Sequence, residues 1–299
     1  SVSIRRLVGL WYALSVRVMP AGLGPVRAAS GGYGRYFSPS RAGWRPDHAL
    51  LGLLRSFSRF RGVMRVPSPR PPEPSARFLL LGGEENWVSR LRSAARRRGV
   101  TVNDLFLAAA ALAAARHVPL RGAGRRRDLA VGCIVDVRPL AREDMDGVFG
   151  LFLGLFSVVC RRHHLSQPLR LLASIHAQSS AAKRERTAAS AMLWMALAAW
   201  FIRKLPPDAA WNFCRKHMPL AAGVSNVDLG RTWVASEHPH RIAEYVRVSP
   251  VGPMVPVAFT PTTLGERLSL GVTLRPSQVS TEMAGQVAAA FIESLRALL

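Results

Sequence analysis

Two polar residues interrupt an otherwise apolar run, Val224-Ser225-Asn226-Val227-Asp228-Leu229-Gly230. A hydroxyl and a primary amide bring both donors and acceptors into a small space. On a buried strand such groups need partners. The alternative is that they face a reacting carbonyl, where a donor steadies a developing oxyanion. Successive strand residues point to opposite faces. One of Ser225 and Asn226 can therefore be bonded inside the fold while the other faces a cleft.

Acid–base chemistry near neutral pH falls to histidine, and the chain has eight. His163-His164 is the one adjacent pair and reads as a loop pair ahead of a helix. Asp47-His48 reads as a surface cap. His238 and His240 share a Pro-containing loop, and the sequence offers no further ligands to complete a metal site there. His117, His176 and His217 fall at helix ends or on helix faces, where a structural role is the expectation. Cys133, Cys160 and Cys214 are odd in number, lie among apolar residues and match no metal or redox spacing. They read as buried thiols of a reducing compartment. No Ser-nucleophile elbow, Cys/His pairing, phosphate-binding loop or dinucleotide fingerprint is visible.

The elements that must position these residues alternate between helix and strand. Arg77–Leu81 is a short apolar strand. A helix over Glu84–Arg98 has acids first and arginines last, and Gly99 stops it. Thr101 caps the next helix, with Asp104 completing a capping box. Leu105, Ala109 and Leu112, with Phe106 and Ala113, mark one buried face. Leu129–Val137 and Phe152–Cys160 read as strands. Ser166 is placed to cap a helix reaching Lys183, and Asp208–Lys216 is a further short helix. Strands follow near Ala221–Val227, Ala243–Val248, Val255–Thr260 and Leu268–Leu274. A closing helix, Thr281–Leu299, carries the stripe Met283, Val287, Phe291, Leu295 and Leu298. This order predicts an α/β fold, a mixed sheet with helices packed on it.

Residues 1–75 differ from the rest. They are rich in Arg, Gly and Pro, with short helical patterns at Ile4–Val18 and His48–Phe60 and a Pro-rich stretch at Val66–Pro74. We read 1–75 as a connecting region and 76–299 as the α/β domain. The chain starts with Ser, so a processed or truncated product is expected.

The formal net charge is +23, from 41 Lys+Arg against 18 Asp+Glu. All but three of those cations, Lys183, Lys204 and Lys216, are arginines. Such a balance suits nucleic acid, anionic lipid or phosphorylated ligands. It also suits plain compositional bias, since the arginines are spread along the chain. The tryptophans do not interleave with them on strands, which disfavours a base-stacking platform. Thr187–Ile202 is the most apolar segment but falls short of the roughly 20 residues that span a bilayer. It reads as a buried helix or an interfacial one.

Three phrases then resemble, in order, the C-terminal half of condensation-domain-like acyltransferases, a group that includes wax-ester-synthase/diacylglycerol-acyltransferase proteins. They are Gly-Val-Thr-Val-Asn-Asp-Leu at 99–105, Val-Asp-Val-Arg-Pro at 135–139, and the phrase at 224–230. The resemblance covers about residues 77–299. It implies one half of a chloramphenicol-acetyltransferase-like fold, with the active site in a tunnel between two halves. It implies that Ser225, Asn226 and Asp228 line the cleft. Asn103, Asp104, Asp136, Arg138, Gly150 and Gly230 would be structural, with Arg138 pairing with Asp136 or Asp228. The general base of the group is a His within His-His-x-x-x-Asp-Gly, and no such string occurs here. A further departure is Asp228, where lipid acyltransferases of the group often have Pro or Gly-Pro.

The reading is therefore part of an acyltransferase with its catalytic His outside this chain. It would hold no bound cofactor and would use acyl-coenzyme A or an acyl-carrier thioester as co-substrate. The acceptor would be a small hydroxyl or amine compound. The expected partner is the N-terminal half of the same enzyme or a partner chain. The expected location is cytoplasmic, with peripheral membrane association as an alternative. Two alternatives stand beside it. One is a non-catalytic protein that binds an acyl ligand, a carrier protein or a partner. The other is a basic protein that binds nucleic acid or an anionic membrane surface.

Overall fold

The computed structural model describes residues 27–28, 58–67, 75–82, 86–122, 124–141, 144–145, 148–149, 152–185, 187–188, 191, 200–229, 244–251 and 255–299. The expected helix Ile4–Val18, most of His48–Phe60, residues 68–74 of the Pro-rich stretch and most of Thr187–Ile202 lie outside these. So do Gly150, Gly230, His48, His238 and His240.

Seven strands form one mixed sheet. They are β2 (Arg77–Leu81), β3 (Leu129–Asp136), β5 (Leu153–Cys160), β6 (Ala222–Val224), β7 (Val227–Asp228), β8 (Val257–Leu264) and β9 (Arg267–Leu274). Across the sheet the order is β2-β9-β8-β6-β3-β5, with β7 also on β8. β3, β6, β7 and β8 run parallel, and the outer pairs are antiparallel. Two short segments, β1 (Arg27–Ala28) and β4 (Val148–Phe149), pair separately. This is the mixed sheet with packed helices that the element order predicts.

The helices are α1 (Trp87–Arg97), α2 (Val102–His117), α3 (Arg162–Leu165), α4 (Pro168–Arg184), α5 (Pro207–His217) and α6 (Thr281–Ala297). Gly99 ends α1 with a φ of +62°, a conformation that favours glycine. Thr101 and Asp104 form the expected capping box at the start of α2. Every residue from Asp104 to Ala114 is buried, so α2 is covered all round and not on one face only. It lies on β3 and β6 and is flanked by α1, α4 and α6. The alanines permit that close approach on several sides, a helix apolar around its whole girth being a core helix.

The core on this side of the sheet joins α1, α2, α4 and α6 to the inward residues of the strands, among them Val131, Cys133, Val224, Phe259 and Val272. Phe259 stacks on Phe291 of α6 at 4.6 Å between centroids. Val287, Phe291, Leu295 and Leu298 of the predicted stripe are all fully buried, and Met283 packs at its edge. On the opposite face Val63, Ala130, Val159 and Leu220 make a smaller cluster, so residues just after the 3-10 turn Phe60–Gly62 pack on the sheet.

Several expected elements differ: the strand near Ala221–Val227 is broken into β6 and β7, and the expected loop pair His163-His164 lies in the short helix α3. Ser166 does not cap α4; its hydroxyl donates to the His163 carbonyl of α3. Ser166 is already the C-cap of α3, and Gln167 takes the N-cap position of α4 without a side-chain bond. Residues 244–248 do not form a ladder strand. They cross the outer sheet face instead, where the Thr260 hydroxyl donates to the Arg247 carbonyl. Gly271 makes room beneath them: a Cβ there would collide with that carbonyl and with Thr260 Oγ1.

Candidate functional site

Ser225 and Asn226 occupy a gap in a ladder. Gly223 and Val224 pair with Ala258 and Phe259, and Val227 and Asp228 pair with Thr262 and Thr263. The offset is the same on both sides, so Ser225 and Asn226 stand opposite Thr260 and Pro261. Ser225 N–H donates normally to Phe259 O at 2.9 Å. In a parallel ladder the Ser225 carbonyl would accept from the residue at 261, but proline has no N–H to give. Arg247 replaces it, its Nη2 donating to Ser225 O at 2.6 Å while Nε donates to Thr262 Oγ1 at 3.2 Å. Burial lowers the Arg247 pKa, partly offset by Tyr245.

Strand alternation puts Asn226 on the same face as Ala222 and Val224, the helix-bearing side. Its Oδ1 is buried and, among the described residues, has no hydrogen-bond donor, as is true of seven other buried polar atoms. A buried acceptor left unpaired costs about 1–3 kcal/mol. Val224 pairs with Cys133 on β3. Asn103, in the first turn of α2, donates from Nδ2 to Cys133 Sγ at 3.3 Å. Asn226 itself follows the carboxyl end of β6, the end at which open sheets with parallel strands offer a crevice.

Burial pushes the Cys133 thiol up to about 11, and Asp104 adds to this while Asn103 and Lys183 oppose it. It stays protonated and is no nucleophile at neutral pH. Cys160 is also buried and pushed up to about 12, whereas Cys214 is only half-buried.

Asp228 points to α1 and pairs with Arg92 at 3.2 Å on the surface. Arg92 also borders a cavity of about 290 Å³ formed with Ser89, Ser93, Arg96, Arg97 and Glu266. Arg138 pairs with Asp136, one of its two expected partners: Asp136 Oδ1 accepts from the Arg138 backbone N–H at 2.9 Å and from Nη1 at 3.3 Å. The guanidinium also lies over the Phe152 ring at 5.1 Å. This closes the turn after β3.

Sequence reasoning missed the network around Asp104. That residue was read as a cap, and it is one. Its fully buried carboxylate also accepts from Ser179 Oγ at 2.6 Å and from His176 Nδ1 at 2.8 Å, both on α4. Burial raises the carboxyl pKa, but the bonds from Ser179, His176 and Thr101 outweigh it and hold the group below its usual value. His176 is one of the three histidines that looked structural. The only sequence trace of this cluster is the His176, Ser179, Ser180 spacing, which shares a helix face; nothing in the chain order ties it to Asp104. His163 and His164 sit edge to face on α3 and meet no acid of the site. Among the described residues no group of His, Cys, Asp and Glu is arranged to hold a metal ion. Among them, too, no single helix is long and apolar enough to cross a membrane.

No protein-family model matches the chain, and no curated protein does. Solved structures do. The PapA2 acyl transferase superposes with a TM-score of 0.59 at 17% identity, over 98% of this chain and 62% of its own. The wax ester synthase/diacylglycerol acyltransferase from Marinobacter aquaeolei VT8 gives 0.51 at 17% identity, over 85% and 56%. A condensation domain for chain release from the enacyloxin polyketide synthase gives 0.51 at 13%, over 83% and 46%. The chain therefore spans about half to three fifths of the length of these structures. At such identities the likeness is one of architecture, and the chain has the fold of condensation-domain and wax-ester-synthase-like acyltransferases.

Proposed function

We propose that this chain is the part of an acyltransferase that holds the acyl thioester, and that the His acting as general base in the transfer comes from outside it. The donor is a thioester on coenzyme A or a carrier protein, and the acceptor a hydroxyl or amine. The observation that carries this reading is the buried Asn226 Oδ1, which no described residue bonds, at the break between β6 and β7. Pantetheine has two amide N–H groups, each a suitable donor to that oxygen. An amide in this place also has an N–H to offer to a thioester carbonyl. The fold of the solved neighbours and the absence of His-His-x-x-x-Asp-Gly from the sequence support the division of labour.

The reading is tested by incubating the purified chain with acyl-coenzyme A donors and long-chain alcohols. No ester product is expected, because loss of a general base costs about 10²–10⁴-fold. Ester formation that disappears on replacing one of the eight histidines would place the transfer base within the chain and overturn the proposal.

A further inference from the structure

Asp104, His176 and Ser180 form a line of hydrogen bonds that the transfer reading does not use. The Asp104 carboxylate is buried, and its Oδ2 meets His176 Nδ1 at 2.8 Å. Thr101 donates to the same carboxylate from its N–H and its hydroxyl, and Ser179 from its hydroxyl, so the acid is held from four donors. An ionised carboxylate only accepts. Nδ1 must therefore carry the proton, which leaves Nε2 bare in the neutral ring. Ser180 Oγ stands 3.4 Å from Nε2 and, as the group with a hydrogen, donates to it. His176 and Ser180 are four residues apart on α4, so the helix itself keeps them on one face. The His176 side chain is 34% exposed, and Ser180 is half-buried, so a ligand can reach both. Lys183 follows on the same face, and its charge is felt at Cys133 next to the cluster.

We propose that Ser180, activated by His176 and aligned through Asp104, is a nucleophile that takes an acyl group from an activated ester or thioester. Ser180 Oγ forms the new bond to the acyl carbon as the carbon–sulfur bond of the thioester breaks. His176 Nε2 accepts the hydroxyl proton and returns it to the leaving thiolate. The products are an acyl-serine and a free thiol. The role of Asp104 is that of a positioning residue, fixing the tautomer and orientation of the imidazole. This centre does not depend on the Asn226 reading, and its test uses no acyl acceptor.

The full chain is treated with a fluorophosphonate probe, and the adduct is located by peptide mass spectrometry. Attack by Ser180 Oγ on phosphorus expels fluoride, so the adduct is stable. One adduct is expected, on Ser180. It is absent in Ser180→Ala, forms about 10²-fold more slowly in His176→Ala, and is unchanged in Ser174→Ala. His176→Gln, closer in volume, supplies the same readout if the alanine variant does not fold. No adduct on the folded protein, an adduct elsewhere, or labelling of Ser180 at an undiminished rate without His176 would overturn the proposal.

Discussion

At the scale of single residues, Asp104 shows how one side chain serves two purposes. As a cap it satisfies the first turn of α2; as a buried carboxylate it ties α2 to α4 through Ser179 and His176. The first purpose is legible in Thr-Val-Asn-Asp, because both partners lie within four residues. The second is not, because its partners are 72 and 75 residues away and no local pattern announces them. The folded carboxyl titrates below its ordinary range, so its contribution to stability is complete above the unfolded value, near 3.9. That contribution is lost as pH falls through the lower folded value. Asp104→Asn should therefore destabilise the protein by about 1–3 kcal/mol at neutral pH. It should also flatten the acid limb of the stability–pH curve, as followed by urea denaturation between pH 2 and 7. An acid limb unchanged by the substitution would remove Asp104 from this role.

Among the elements, local signals read well and pairing signals did not. Gly99, the capping box, the apolar strands β3, β5 and β9 and the stripe on α6 were all visible, since propensity and periodicity encode them. The gap between β6 and β7 was not, although Pro261 is plain in the sequence. Its effect is felt on the neighbouring strand, and only the register shows which carbonyl loses its donor. The expected strand near Ala243–Val248 fails in a related way. Half-buried Tyr245 and Arg247 alternate with exposed Val246 and Val248, which is the pattern of an extended segment on a sheet, yet the segment lies over the sheet and does not join it. Gly271 is the device that allows this. Gly271→Ala should displace the Arg247 carbonyl and, with it, the guanidinium that completes Ser225. We expect a loss of about 1–3 kcal/mol, as for overpacking of a tight contact, and greater proteolytic sensitivity around Arg247. Wild-type stability in Gly271→Ala would mean that the crossing segment is held by something other than this contact.

For the whole molecule, the arginine-rich composition has a partly internal explanation. Arg59 bonds Gln178, Arg65 the Lys216 carbonyl, Arg97 the Leu299 carbonyl, Arg247 the Ser225 carbonyl and Arg275 the Val251 carbonyl. Guanidinium groups are suited to such multiple bonding, so net charge alone does not nominate a polyanion as partner. The central claim is that the chain holds an acyl thioester at the gap between β6 and β7. It is tested most directly by calorimetric titration with a non-hydrolysable thioether analogue of acyl-coenzyme A, beside thermal unfolding, for the chain and for Asn226→Ala. Removing an orphaned buried acceptor relieves a cost in the free protein while removing a contact in the complex. The account predicts affinity weakened about 10-fold, the worth of one hydrogen bond of roughly 1.4 kcal/mol, with a Tm equal to or above that of the unsubstituted chain. Undiminished affinity together with a lowered Tm would contradict it, and would make Asn226 a structural residue.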